Sequence, residues 1–366
     1  MDKPILNKIS YDGKNNIYKY GMSKVQGWKK TMEVYNLKEN NLGQDKDINI
    51  FGIFDGHSGN EISQYLFSNF KILLLKNDNF KNGNYKQALI ETFKNIDKSL
   101  RTKEVNNKLI LYRKKNVMEK KEKMNEFYKT VDKKNSLNKN DKENLSIFMD
   151  IIDPNNLEEV LISDFVGSSG IVILINDKRT FVANAGNTHY IAINKKLSVI
   201  NNRNYFEKIT YNKNEKTRIR ISQGIKYGNE KNISFEDKNF LYTRGFGDFQ
   251  YKNNNLLNIE DQEISPEPDI FEIPNEEIKF LIICNSGFYD YGIQINNENN
   301  KDNKNEINID KNITNYFVKK LQNEHKKISQ IIGEYFDEFI PKNNINNQKY
   351  NTENLSCIII NFINKW

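Results

Sequence analysis

Cysteine, histidine and long apolar runs are what this 366-residue chain has least of, and each shortage removes a class of protein. Only Cys284 and Cys357 are present, so a disulfide-stapled framework is excluded. Both lie in apolar runs, where reduced, buried thiols are the default, and their spacing suits no metal. No run approaches the roughly 20 apolar residues that span a bilayer, so no membrane partner is expected. Residues 1–10 lack the apolar segment of a secretory leader, and Asp2 stands where a myristoyl anchor requires glycine. The expected setting is soluble and intracellular, cytoplasmic or nuclear.

What is abundant points to a packed protein. The chain has 22 Phe and 19 Tyr, and 37% of its residues are hydrophobic, enough for one large core or two smaller ones. Its mean hydropathy is nevertheless −0.76, because Asn and Lys are concentrated in particular stretches. A globular core interrupted by polar insertions fits that distribution. The net charge of +7 is carried by scattered lysines and reads as a solvated surface, so no nucleic-acid partner is expected.

Strand-like apolar runs recur at Ile48–Phe54, Gly170–Ile175, Thr180–Ala185, His189–Ile193, Ile278–Cys284 and Leu355–Phe362. Helical spacing occurs at Asn60–Leu75, where Ile62, Leu66, Phe70 and Leu73 share a face, and again at Tyr85–Leu100. A third amphipathic stretch runs from about Thr314 to Phe339. Strands at both ends of the chain with helices between them predict an α+β sandwich. One domain is expected over residues 20–366, after an N-terminal extension at 1–19. Polar insertions are expected at 103–157, with a helix-permissive Lys114–Val131, and at 294–312.

The first chemical signal is Phe51-Gly-Ile-Phe-Asp55-Gly56-His57-Ser-Gly59. An Asp at a strand end aims a carboxylate into a cleft, Gly56 offers a bare carbonyl, and hard cations take such oxygens. His57, next to that point, is placed to give a proton to a leaving group. A tight Asp-Gly turn from strand to helix explains the same residues without a metal. Other segments follow in order: Gly27-Trp28-Lys29 with Glu33, Gly167-Ser-Ser-Gly170, and Ala185-Gly186-Asn187-Thr188. Next come Glu215-Lys-Thr-Arg218-Ile219, Thr243-Arg244-Gly-Phe-Gly247-Asp248, Asn285-Ser286-Gly287 with Asp290, and Glu353-Asn354.

This ordered set resembles the type 2C family of metal-dependent protein phosphatases over roughly residues 20–101 and 160–366. The resemblance implies a four-layer α-β-β-α sandwich with two central antiparallel sheets, and Mg²⁺ or Mn²⁺ held by strand-end carboxylates. It makes Asp55 the bridging carboxylate, Gly56 a carbonyl ligand, His57 the general acid, and Glu33 a supporting carboxylate behind the metals. Glu353 matches a further metal ligand, and Lys29 stands where the family's phosphate-binding Arg belongs. Three acidic positions of the pattern are lost, at Val34, Asn187 and Ser286. Asp290 is a candidate to compensate, and Asp248 matches a family position outside the primary metal shell. His189 sits at a strand start, either lining the cleft mouth or structural, and His325 belongs to a solvated helix face.

Because divalent hard cations are held largely by negative oxygens, the resemblance with those losses implies a pseudophosphatase that binds a protein or phosphoprotein partner without efficient hydrolysis. The alternative is an active Mg²⁺- or Mn²⁺-dependent serine/threonine phosphatase with a reduced metal site. A third reading makes the Lys-rich insertion at 103–157 a tether for nucleic acid or an acidic partner.

Overall fold

A computed structural model describes residues 3–43, 48–131, 161–200, 243–292, 309–322, 325–340 and 353–363. Eleven strands are described: β1 (Ile5–Lys14), β2 (Tyr18–Gly27), β3 (Val34–Glu39), β4 (Asn49–His57), β5 (Gly167–Ile175), β6 (Arg179–Ala185), β7 (Thr188–Asn194), β8 (Phe246–Gly247), β9 (Asp269–Pro274), β10 (Ile278–Asn285) and β11 (Leu355–Phe362). The described helices are α1 (Glu61–Lys76), α2 (Asp78–Lys81), α3 (Tyr85–Ser99), α4 (Lys103–Val131), α5 (Ser286–Tyr291), α6 (Ile309–Leu321) and α7 (Ile328–Phe339).

The strands form two antiparallel sheets, one in the order β1-β2-β11-β10-β7 and the other β3-β4-β5-β6-β9, with β8 added beside β5. Continuous apolar runs such as Ile171–Ile175 become strands buried on both faces because each sheet is covered twice. Three apolar clusters mark the layers. Ile53, Ile173, Ile283 and Ile358 pack between the sheets. Phe54, Phe70, Phe93 and Leu174 pack under α1 and α3, and Ile282, Phe317, Ile332 and Ile359 under α6 and α7. The result is the expected α-β-β-α sandwich.

Three boundaries differ from the sequence reading. Residues expected as an N-terminal extension contain β1 and the start of β2, paired from Ile5↔Gly27 to Lys14↔Lys19. Strand β1 is exposed along most of its length, so it carries no apolar alternation to betray it. The insertion expected from residue 103 opens instead as α4, whose Val105, Leu109 and Ile110 join the core beneath α1 and α3. The stretch from about Thr314 to Phe339 is two helices, α6 and α7. Residues 132–157 and 294–308 of the expected insertions, and the segment Glu215–Ile219, lie outside the described residues.

Candidate active site

The strand-end residues gather at one end of the sandwich. In β4, Asp55 faces Val34 on one neighbour and Ser169 on the other, and His57 faces Gly167. The chain turns sharply after His57, held by two donors to the Glu33 carbonyl: Gly56 N at 3.1 Å and Ser63 Oγ at 2.7 Å. Asp55 and Glu33 are thereby drawn to the same corner although they come from different strands. Val34 is fully buried and packs in the core between the sheets. The position where the family pattern has an acid has been absorbed into apolar packing.

Opposite β4, the sheet containing β10 and β11 supplies a network of amides. Asn285, at the end of β10, donates from Nδ2 to Asp55 Oδ2 at 3.2 Å and to the Asn354 carbonyl at 2.7 Å. Its Oδ1 accepts from Ser356 N at 2.9 Å and caps α5 through Phe288 N. Ser286 then opens α5. Burial pushes the Asp55 carboxyl up to about 6, against the opposing pull of Lys29 and the Asn285 amide. Asp290 sits at the surface end of α5. Its carboxyl is likewise pushed up to about 6 by partial desolvation and by the charge of Glu353.

Lys29 holds the centre of this corner. Its Nζ lies 2.6 Å from Glu353 Oε2, 2.9 Å from Glu33 Oε2 and 3.5 Å from the Gly56 carbonyl oxygen. Burial alone would lower its pKa, but the two carboxylates outweigh that and raise it, so the ammonium is charged at neutral pH.

On the other side of Asp55, His57 Nε2 is 2.7 Å from Asp248 Oδ2. Gly247 (φ 72°) and Asp248 (φ 53°) are consecutive left-handed residues, and this tight turn aims the Asp248 carboxylate back at β4. Gly167 must be glycine, because a Cβ there would collide with both Asp248 Oδ2 and His57 Nε2. The turn is anchored from below by Asp97 of α3. Its carboxylate accepts from Gly247 N at 2.8 Å and from Lys252 Nζ at 2.9 Å, and Lys252 also donates to the Gly245 carbonyl. Both members of that ion pair are fully buried.

Asn187 stands apart from this centre. Its N–H donates to Ser169 Oγ at 2.9 Å and its Oδ1 is 3.1 Å from His189 Nε2. The His189 ring stacks on Tyr289 at 3.9 Å, and burial lowers its pKa to about 3, so it is a neutral wall and not a charged cleft group. Of the sequence-stated residues, Lys29, Glu33, Asp55, Gly56 and Glu353 converge, with His57 and Asp248 paired beside them. The sequence reading gave no role to Asn285, Asn354, Asp97 or Lys252.

These residues do not fit a centre holding two divalent ions. Two of the three retained carboxylates already pair with Lys29, and the third accepts from Asn285. Among the described residues, no group of three or more His, Cys, Asp or Glu side chains is arranged to hold a metal ion.

Comparison with known proteins gives a consistent picture. The family profile "Protein phosphatase 2C" matches residues 18–112 and 112–294. Protein phosphatase 2C 1 of Paramecium tetraurelia is 27% identical over 293 residues, covering 79% of each chain. Protein phosphatase 2C homolog 2 of Hypocrea jecorina is 26% identical over 302 residues, 79% of this chain and 54% of that protein. A solved serine-threonine phosphatase 2C from Toxoplasma gondii superposes with a TM-score of 0.55 at 12% identity, covering 98% of this chain and 99% of its own.

Proposed function

The chain belongs to the protein phosphatase 2C family, and from that premise we propose that it is a pseudophosphatase, binding a protein or phosphoprotein partner without efficiently hydrolysing it. Working members of the family use Mg²⁺ or Mn²⁺ to activate the attacking water and neutralise charge on the phosphate. The observation that carries the reading is the environment of Asp55. The carboxylate that would bridge those ions pairs across the strands with a buried valine and accepts from the Asn285 amide at 3.2 Å, while Ser286 opens α5 at a position where the family pattern has an acid. A valine and a neutral hydroxyl are poor replacements for anionic oxygens around a hard cation.

One observation favours the second reading, an active Mg²⁺- or Mn²⁺-dependent serine/threonine phosphatase reduced to Asp55, Gly56 and Glu353. His57 is held by Asp248 through Nε2 at 2.7 Å, an arrangement that fixes the ring beside Asp55, where a general acid would stand. In the pseudophosphatase reading, the same pair helps shape the cleft that a partner meets.

The deciding assay is hydrolysis of a phosphothreonine peptide with Mn²⁺ and then Mg²⁺, beside an Asp55→Asn control. No turnover above the control is expected. Metal-dependent turnover that disappears in the control would establish the enzyme reading instead.

A further inference from the structure

Three oxygens from three parts of the chain converge on Lys29 Nζ: Glu33 Oε2, the Gly56 carbonyl and Glu353 Oε2. Two carboxylates and a backbone carbonyl are a donor set for a hard cation, and here a lysine ammonium fills it. The cage is built around the lysine. Gln26 Nε2 donates to the Lys29 carbonyl at 2.9 Å, and Thr31 Oγ1 orients Glu33 through Oε1 at 2.6 Å. Asn354 staples the same loop three times, giving Nδ2 to the Gln26 and Thr31 carbonyls and accepting from Glu33 N at 2.8 Å. The Lys29 side chain is only 20% exposed, and that of Glu33 10%.

This geometry bears on the phosphate role that the family resemblance gives to Lys29. An arriving phosphate would meet Glu33, Glu353 and Asp55 together with a single ammonium, a group with more negative than positive charge. Lys29 is spent internally. Resting on the pseudophosphatase reading and deepening it, we propose that Lys29 is a tethered counter-ion. Its ammonium holds the cleft carboxylates together in the place of an exchangeable divalent cation, and it competes with any such ion for them. The cleft then keeps its shape at any metal concentration, and removing the ammonium opens a divalent-cation site.

The test uses the full chain and Mn²⁺ alone, by titration calorimetry and thermal melting, on wild type, Lys29→Met, Lys29→Gln and Lys29→Arg. Wild type and Lys29→Arg should bind Mn²⁺ weakly, with no rise in Tm. Lys29→Met and Lys29→Gln should bind at least about 10-fold more tightly, the scale of effect that groups around a metal exert. Their Tm should be lowered without the ion and restored by it, as a ligand specific for the folded state requires. Adding Glu353→Gln to either neutral variant should abolish the gain, tying the ion to this cage. If one neutral variant fails to fold, the other supplies the comparison. Equal or weaker Mn²⁺ binding in a folded neutral variant overturns the proposal, as does tight binding by wild type. Phosphatase turnover by wild type would defeat the pseudophosphatase reading, but the Mn²⁺ comparison between wild type and the neutral variants would still judge Lys29 separately.

Discussion

Val34 illustrates how a single residue has changed layers. Its backbone still pairs with Asp55, but its side chain is sealed between the sheets among residues such as Ile53 and Ile171. A carboxylate placed there would lose its water inside an apolar layer. Val34→Asp should therefore cost about 3 kcal/mol or more in chemical denaturation. Ser286→Asp, on a partly exposed position at the start of α5, should be nearly neutral. A Val34→Asp protein as stable as wild type would mean that the core there is looser than its packing implies. At this scale the sequence was informative about Asp55, Gly56 and His57, because they are consecutive and their spacing carries the signal. It was silent about Asn285, whose amide meets Asp55 across 230 positions of chain. Lys29 was legible as a cation, but its pairing with Glu353 was not, because that carboxylate is brought in from the far end of the chain.

Among the elements, α3 does more than cover a sheet. Asp97 projects from its last turns into the turn that follows β8, and with Lys252 it forms an ion pair sealed from solvent. Burial drives the Asp97 carboxyl upward and Lys252 opposes that shift, so the pair depends on both partners. Lys252→Met should destabilise the protein by about 3–5 kcal/mol, because it strands a buried carboxylate. It should also disturb His57, whose partner Asp248 sits on that turn. Thermal melts and the His57 ring signals in NMR check both effects, and an unaltered His57 environment would show that the turn holds Asp248 unaided. Element legibility followed burial. Strands covered on both faces, such as β5, gave continuous apolar runs, whereas helix α4 hid its short buried stripe of Val105, Leu109 and Ile110 in a Lys- and Asn-rich stretch. That helix is tied to the cleft end of the sandwich through Arg113, which pairs with buried Glu61 at 3.1 Å, and through Asn116, which donates to Asn60.

For the whole molecule, the four-layer arrangement was legible from the order of strands and helices, but the sheet edge was not. Strand β1 closes the flank of β2, and Asp12 bonds α7 through both the backbone and side chain of Ser329. Deleting residues 1–14 should leave β2 as an unprotected edge and loosen α7. The expected result is a lower Tm and self-association in light scattering. A truncated protein that stayed monomeric with an unchanged Tm would make β1 dispensable.

The Asn354 staple gives the cleft a history as well as a shape. Its bond to Glu33 joins residues 321 positions apart, and β11 lies between β2 and β10 in the same sheet. During synthesis the loop bearing Lys29 emerges early and must wait, its carboxylate and amine uncaged, until Asn354 has left the ribosome. Closures of that span are slow. The cleft therefore acts as a checkpoint on synthesis: no product truncated before β11 can assemble it, and only a chain that includes this strand can present the surface to a partner.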